Sequence, residues 1–311
     1  MCRPKLTVNE QLEHMKSNGI TFDNVTEDKA LIYLKENNYY FKLKSYNKLF
    51  EKYQIGEHKG EYVNLDFSYL QELAILDMHL RHYILKTTVD LEHSIKVGFM
   101  KDFNRSNSDG YEIIETYFNA YPDIENKILE KKNTSYCGDL IDKLESEKYA
   151  LWNIIEIISF GDFISLYDLF YSEFPDAKDG ILFTYPMKSI KSLRNAAAHN
   201  NCILNQLNKT FDANHRGNDK VNSYVSKIEG ISKDERKTCM QKRVVHDLIT
   251  LIYVLDKSVK SQDVKKHLID ELDWLINNRM VKHQDYFIKN NNLKTVFTFV
   301  KKVVDNIKLN E

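Results

Sequence analysis

Ser68 to Phe103 reads SYLQELAILDMHLRHYILKTTVDLEHSIKVGFMKDF. Within it Leu73, Leu76, Leu80, Ile84, Leu91, Ile95 and Phe99 recur mostly at three- and four-residue steps. That is the period of a helix with one apolar face. Ser68 and Gln71 form a capping-box pattern at its start. At 1.5 Å per residue the stripe predicts a helix on the order of 50 Å long. Asp77, Arg81, Glu92 and Lys96 ride on it. Glu92 lies four residues before Lys96, the better orientation for an ion pair. A surface pair of this kind contributes only a few tenths of a kcal/mol, so stability alone does not explain it. His79 and His82 share a face, but zinc needs further ligands, and none can be placed beside them.

The rest of the chain carries the same signal. Its 311 residues include 10 Gly and 4 Pro, a composition of helices joined by short polar loops. Thr7 with Glu10 reads as a capping box for a short helix ending at Gly19. Thr26 caps a second helix. Short helices are expected over 111–119, 123–132 and 139–148. In Leu151–Tyr167, Gly161 breaks one helix and Asp162 begins another. Ser232 caps a helix carrying Val244, Leu248, Leu251, Ile252 and Leu255. His215-Arg216-Gly217-Asn218-Asp219 reads as a loop and a boundary. The expected fold class is all-α, and the chain divides by sequence into 1–66, 67–210 and 211–311.

The net charge of −1 excludes a broadly basic protein, so nucleic acid would have to meet a local patch. Lys233, Arg236, Lys237, Lys242 and Arg243 lie close together in the mildly basic tail, with a solvated face as the plain alternative. Asn38-Tyr39-Tyr40-Phe41-Lys42 interleaves aromatics with lysine, which suits base stacking; an aromatic core segment with solvated lysines is the simpler reading. Cys2, Cys137, Cys202 and Cys239 are far apart and form no CxxC pair. That argues against a zinc site or disulfide framework and fits a reducing cytosol. No apolar run of about 18 residues and no signal-peptide core is present, so a cytoplasmic location without membrane contact is expected.

Chemistry concentrates in Ser189-Ile190-Lys191-Ser192-Leu193-Arg194-Asn195-Ala196-Ala197-Ala198-His199-Asn200-Asn201. Ile190, Leu193 and Ala197 repeat at helical spacing, and the alanines favour helix while leaving little bulk. Asn195 and His199 are four apart and share a face, so the amide can orient the imidazole. An arginine side chain is always charged, and histidine is the residue type that ordinarily exchanges a proton near neutrality. Together they can hold a phosphate and move a proton without a metal. A helix with a satisfied His and a solvated Arg has the same spacing, and the surrounding residues must separate the two readings.

Several pieces in order resemble one family. They are Lys5-Leu6-Thr7 with Gln11-Leu12 and Gly19-Ile20; Asn38-Tyr39-Tyr40 with Leu43 and Tyr46; and Phe67, Leu70, Leu73, Asp77, Leu80 and Arg81. Glu92-x-x-x-Lys96 follows, then Trp152, Glu156, Ser159-Phe160-Gly161 and Leu166-Tyr167, and finally Leu193-Arg194-Asn195 with Ala198-His199. Over about residues 4–205 the chain is similar to the Abi-like proteins of bacterial abortive infection (AbiD/AbiF type), within the HEPN superfamily. Many relatives carry a further basic residue after the signature His; Asn200–Asn205 contains none.

The resemblance implies a helical bundle with additional terminal helices. It also implies a metal-independent endoribonuclease acting as a homodimer, with no cofactor. His199 would be general base or acid, Arg194 a phosphate clamp, and Asn195 would orient His199 or the phosphate. Glu92 and Lys96 would support Arg194 or the substrate backbone. Lys191 and the tail lysines and arginines are candidates for RNA contact. The expected partner is cellular, phage or small structured RNA, with an antitoxin or inhibitory RNA as a possible restraint. A non-catalytic RNA-binding or regulatory module is the alternative from a different class.

Overall fold

The computed structural model describes residues 4–145, 148–179, 181–212 and 217–309. Cys2 and the His215-Arg216 part of the expected boundary loop lie outside them. The described residues form fifteen α-helices and no strand, so the chain is all-α. In order these are α1 (Val8–Lys16), α2 (Glu27–Glu36), α3 (Tyr40–Lys44), α4 (Phe67–Phe103), α5 (Glu112–Ala120), α6 (Asp123–Lys131), α7 (Gly138–Glu145) and α8 (Leu151–Ile157). They continue as α9 (Phe160–Glu173), α10 (Thr184–Ala198), α11 (Asp219–Val225), α12 (Lys233–Met240), α13 (Arg243–Ser258), α14 (Gln262–Trp274) and α15 (Asn291–Leu309).

Local signals place several of these helices. Thr7 and Glu10 make a reciprocal capping box at α1. The stripe from Leu73 to Phe99 forms α4, 37 residues long. Its start differs from the expected Ser68/Gln71 box. Asp66 accepts from the Ser68 N–H at 2.9 Å and from the Ser68 hydroxyl at 2.6 Å. It also accepts from the Thr21 hydroxyl and the Asp23 N–H, so one carboxylate both starts the helix and ties down the chain before it. The break after α8 belongs to Ser159, whose hydroxyl accepts from the Asp162 N–H and caps α9. Gly161 sits inside the first turn of α9, where an added Cβ would meet the Lys191 side chain at 2.6 Å. Gly161 thus does not break a helix, and the exposed end of the Lys191 side chain passes over it.

Two compact units emerge, and their segments alternate along the chain. Unit 1 comprises Met1–Lys86, Leu193–Tyr253 and Asp263–Glu311. Its core includes Tyr46, Leu70, Ile249, Phe299 and Val303, all at most 2 % exposed. Within it α1 packs on α2, and α12 on α15. Unit 2 comprises Thr87–Ser192 and Val254–Gln262. Here the Phe99 ring is surrounded by Phe163, Tyr167, Phe170 and Tyr171, with centroids 5.0–5.9 Å away. Asp102, also buried, accepts from the Tyr171 hydroxyl at 2.6 Å and from Lys178 at 3.2 Å. Among the described residues no helix is long and apolar enough to cross a membrane.

The expected single helix after Ser232 is two. Ser232 does cap α12, but α13 begins only at Arg243. Between them the Gln241 carbonyl accepts from the Phe211 N–H, and Lys242 turns inward to the Leu207 carbonyl at 3.1 Å. These long-range bonds outweigh the local helical preference.

Candidate functional site

The site-bearing helix is α10, whose Pro186 lies in the first turn, where a missing N–H leaves no bond unmade. Ile190, Leu193 and Ala197 are its buried face. The helix stops one residue before His199, so the histidine is the C-cap and not an interior residue. Asn200 takes φ +55°, a left-handed conformation that Asn tolerates better than most residues. The Asn201 N–H then reaches the Ala196 carbonyl at 2.9 Å and the Asn200 N–H the Ala197 carbonyl at 3.0 Å. This is a Schellman closure, which fixes the backbone carrying His199.

His199 is exposed and its ring makes no hydrogen bond to another described residue. Arg194 is half-buried, and its Nη1 donates to the Asn195 Oδ1 at 3.2 Å. Asn195 therefore spends its amide oxygen on Arg194, and no bond from it to the His199 ring is present.

Behind this helix end lies a set of polar groups that the sequence did not single out as a site. Lys42, only 7 % exposed, donates to the Asn200 Oδ1 at 2.8 Å and to the Asn200 carbonyl at 3.0 Å. It is thus not the solvated lysine expected of an aromatic core segment, whereas Phe41 beside it is 82 % exposed. Burial, with repulsion from Arg81, pushes the Lys42 ammonium below its ordinary value. Asp77 is fully buried and accepts from the Ile203 N–H at 3.0 Å, the Leu204 N–H at 2.8 Å and the Tyr46 hydroxyl at 2.7 Å. It also pairs with Arg81. Burial pushes the Asp77 carboxyl up, and these donors oppose the shift. The chain after His199 is consequently pinned to α3 and α4. The available signal was an acidic residue set between Leu76 and Leu80 of an otherwise apolar face.

Glu92 and Lys96 belong to unit 2, where they pair at 2.9 Å. They line an open cleft of about 780 Å³ with His93, Lys101, Asn104 and Arg105, between apolar walls from Val89, Val97, Met100 and Ile155. Lys191 is exposed. In the tail, Lys233 and Lys237 are exposed and Arg236 is half-buried on α12. Arg243 is exposed and lies 3.7 Å from Asp247. Lys242 must be removed from the expected RNA-contacting patch: it is buried, bonded to the Leu207 carbonyl, and its ammonium is pushed below the ordinary value by burial. His79 packs edge-on against Trp274. No group of three or more His, Cys, Asp or Glu is placed to hold a metal among the described residues.

Fold and site together define an all-α protein with an arginine and an accessible histidine at a rigidly closed helix end. The chain belongs to the Abi-like protein family, whose sequence profile matches residues 32–205. That match begins in α2 and ends at Asn205, one residue past the Asp77 anchor. No curated protein and no solved structure matches the chain.

Proposed function

We propose that this protein is a metal-independent endoribonuclease of the HEPN type, acting in abortive infection as a defence against phage. Membership of the Abi-like family supports the defence role. The observation that carries the chemistry is the accessible His199 ring, on a backbone fixed by the Schellman closure, with Arg194 on the same helix end. An RNA 2′-OH gives its proton to one histidine as O2′ bonds to the adjacent phosphorus. The bond from phosphorus to O5′ breaks, and O5′ takes a proton from a second histidine. The products are a 2′,3′-cyclic phosphate and a 5′-OH end. Arg194 stabilises the charge that develops on the phosphate oxygens, and Asn195 holds the guanidinium. Each chain supplies one such histidine, so a two-fold homodimer joining two α10 ends supplies both. Lys96 with Glu92 steadies substrate backbone, and Lys233, Arg236, Lys237, Arg243 and Lys191 add non-specific phosphate attraction. DNA lacks the 2′-OH and is not cut by this route.

The test is cleavage of an RNA pool in EDTA by wild type and His199→Ala, with analysis of product ends. Expected are cyclic-phosphate ends, with a rate loss on the order of 10²–10⁴-fold in the variant. Its stability should stay within about 0.5 kcal/mol, because the ring is exposed. Equal cleavage by the variant overturns the reading. RNA that copurifies uncut with wild type would instead favour a non-catalytic RNA-binding or regulatory module. A strictly monomeric species by light scattering that still cuts RNA overturns the two-chain site.

A further inference from the structure

Leu73, Leu76 and Leu80 present one stripe of α4 to a cavity of about 340 Å³ inside unit 1. Leu204 and Leu207, from the segment after α10, and Leu248 of α13 face the same space. All six are buried against solvent. Its exposed lining residues, Gln284, Ile288, Lys294 and Thr298, mark the mouth. Among the described residues the lining contains one charged side chain, Lys294, and no carboxylate. Lys294 makes no ion pair with a described residue.

A pocket of this kind leaves apolar wall against water, and covering it is favourable in proportion to the area removed. Water gains little along its leucine walls, because its polar partners are confined to the mouth. Ligand pockets commonly span about 300–1,000 Å³ and combine apolar walls with a few placed polar groups. The single unpaired cation at the mouth selects the head group. We propose that this cavity binds a small amphiphile with an apolar body and one anionic group, the chemistry of a medium-chain carboxylate, with its head at Lys294. The site is independent of the ribonuclease reading, but it borders the same structure. The Leu204 side chain lines the cavity while its N–H donates to Asp77, which lies between Leu76 and Leu80. An occupant therefore restrains the chain five residues after His199.

The probes are dodecanoate and 1-dodecanol, below their aggregation limits, titrated calorimetrically into the full chain. Dodecanoate is expected to bind with a negative heat-capacity change and to slow amide exchange at Ile203 and Leu204. Lys294→Gln should weaken dodecanoate about threefold, the size of an exposed charge pair, and leave 1-dodecanol unchanged. Val244 is on the half-buried rim of the cavity, so Val244→Trp can block the space without opening the core and should abolish binding of both. The proposal is overturned if neither probe binds wild type, or if Lys294→Gln keeps full affinity for dodecanoate. It is equally overturned if a folded Val244→Trp protein binds as wild type does. RNA enters none of these measurements, so loss of the ribonuclease reading leaves the result intact.

Discussion

Helix α4 carries two acid–base pairs at the same four-residue spacing, Asp77 with Arg81 and Glu92 with Lys96, and they have opposite fates. The first is sealed in unit 1, with side chains 0 % and 7 % exposed. There Asp77 also takes two backbone N–H groups and a tyrosine hydroxyl. The second lines an open cleft in unit 2, with side chains 24 % and 17 % exposed. Spacing makes both pairs neighbours on the helix; what packs over them decides their role. The buried pair is an anchor for the chain that follows His199; the second keeps partial solvent access, with the Lys96 ammonium also 5.6 Å from the Phe163 ring centroid.

Asp77→Ala is the strongest way to break that contrast. It leaves Arg81 charged and buried without its partner, together with two unpaired N–H groups. A loss of about 3–5 kcal/mol is expected by urea unfolding. A loss under about 1 kcal/mol would mean that the buried pair is no more structural than the accessible one. Lys42→Met comes next. It removes both bonds to Asn200, and about 1–3 kcal/mol is expected, with a matching rise in amide exchange at Asn200 and Asn201. Unchanged exchange would show that the Schellman closure holds without the lysine.

Asp66→Ala tests a carboxylate anchor that lacks an ion-pair partner among the described residues. Burial raises the Asp66 carboxyl, but hydrogen bonds from Ser68, Asp23 and Thr21 together outweigh it and hold the group below its ordinary 3.8. The folded state therefore favours the ionised form. Its contribution is fully present above pH 3.8 and is lost as pH falls through the lower, folded value. At pH 7 the variant should lose about 0.5–2 kcal/mol, the range of an N-cap, and the gap from wild type should close as pH falls through that lower, folded value. A gap that persists in acid beyond the folded value would assign the effect to packing instead of charge.

Much of this architecture is written in local patterns. The apolar stripe of α4, the Thr7/Glu10 box and the three short helices between Glu112 and Glu145 follow from residues within a few positions of one another. What local reading misses depends on distant partners. Lys42 looks solvated among its aromatics, yet its acceptor, Asn200, is 158 residues away. Lys242 looks like part of a basic run, yet Leu207 and Phe211 pull its segment out of helix. The Arg194-Asn195-His199 spacing was legible, but the position of His199 as a cap rests on the left-handed Asn200, and the amide of Asn195 went to Arg194. The downstream segment has no basic residue of its own, and Lys42 brings an ammonium to Asn200 from another part of the fold.

The smallest expected effect is also the sharpest test of the accessible pair. A double-mutant cycle of Glu92→Gln and Lys96→Gln should give a coupling energy of about 1 kcal/mol or less in urea unfolding, because solvent still reaches both side chains. Adding salt should reduce it further. If Lys96 meets substrate backbone, Lys96→Gln should weaken RNA binding to the His199→Ala protein, and Glu92→Gln, by freeing the lysine, should strengthen it. Opposite signs on binding from two changes with nearly equal, small effects on stability cannot come from a structural pair. A coupling above about 2 kcal/mol, or equal loss of binding in both variants, would place Glu92 and Lys96 with Asp77 and Arg81 as scaffold.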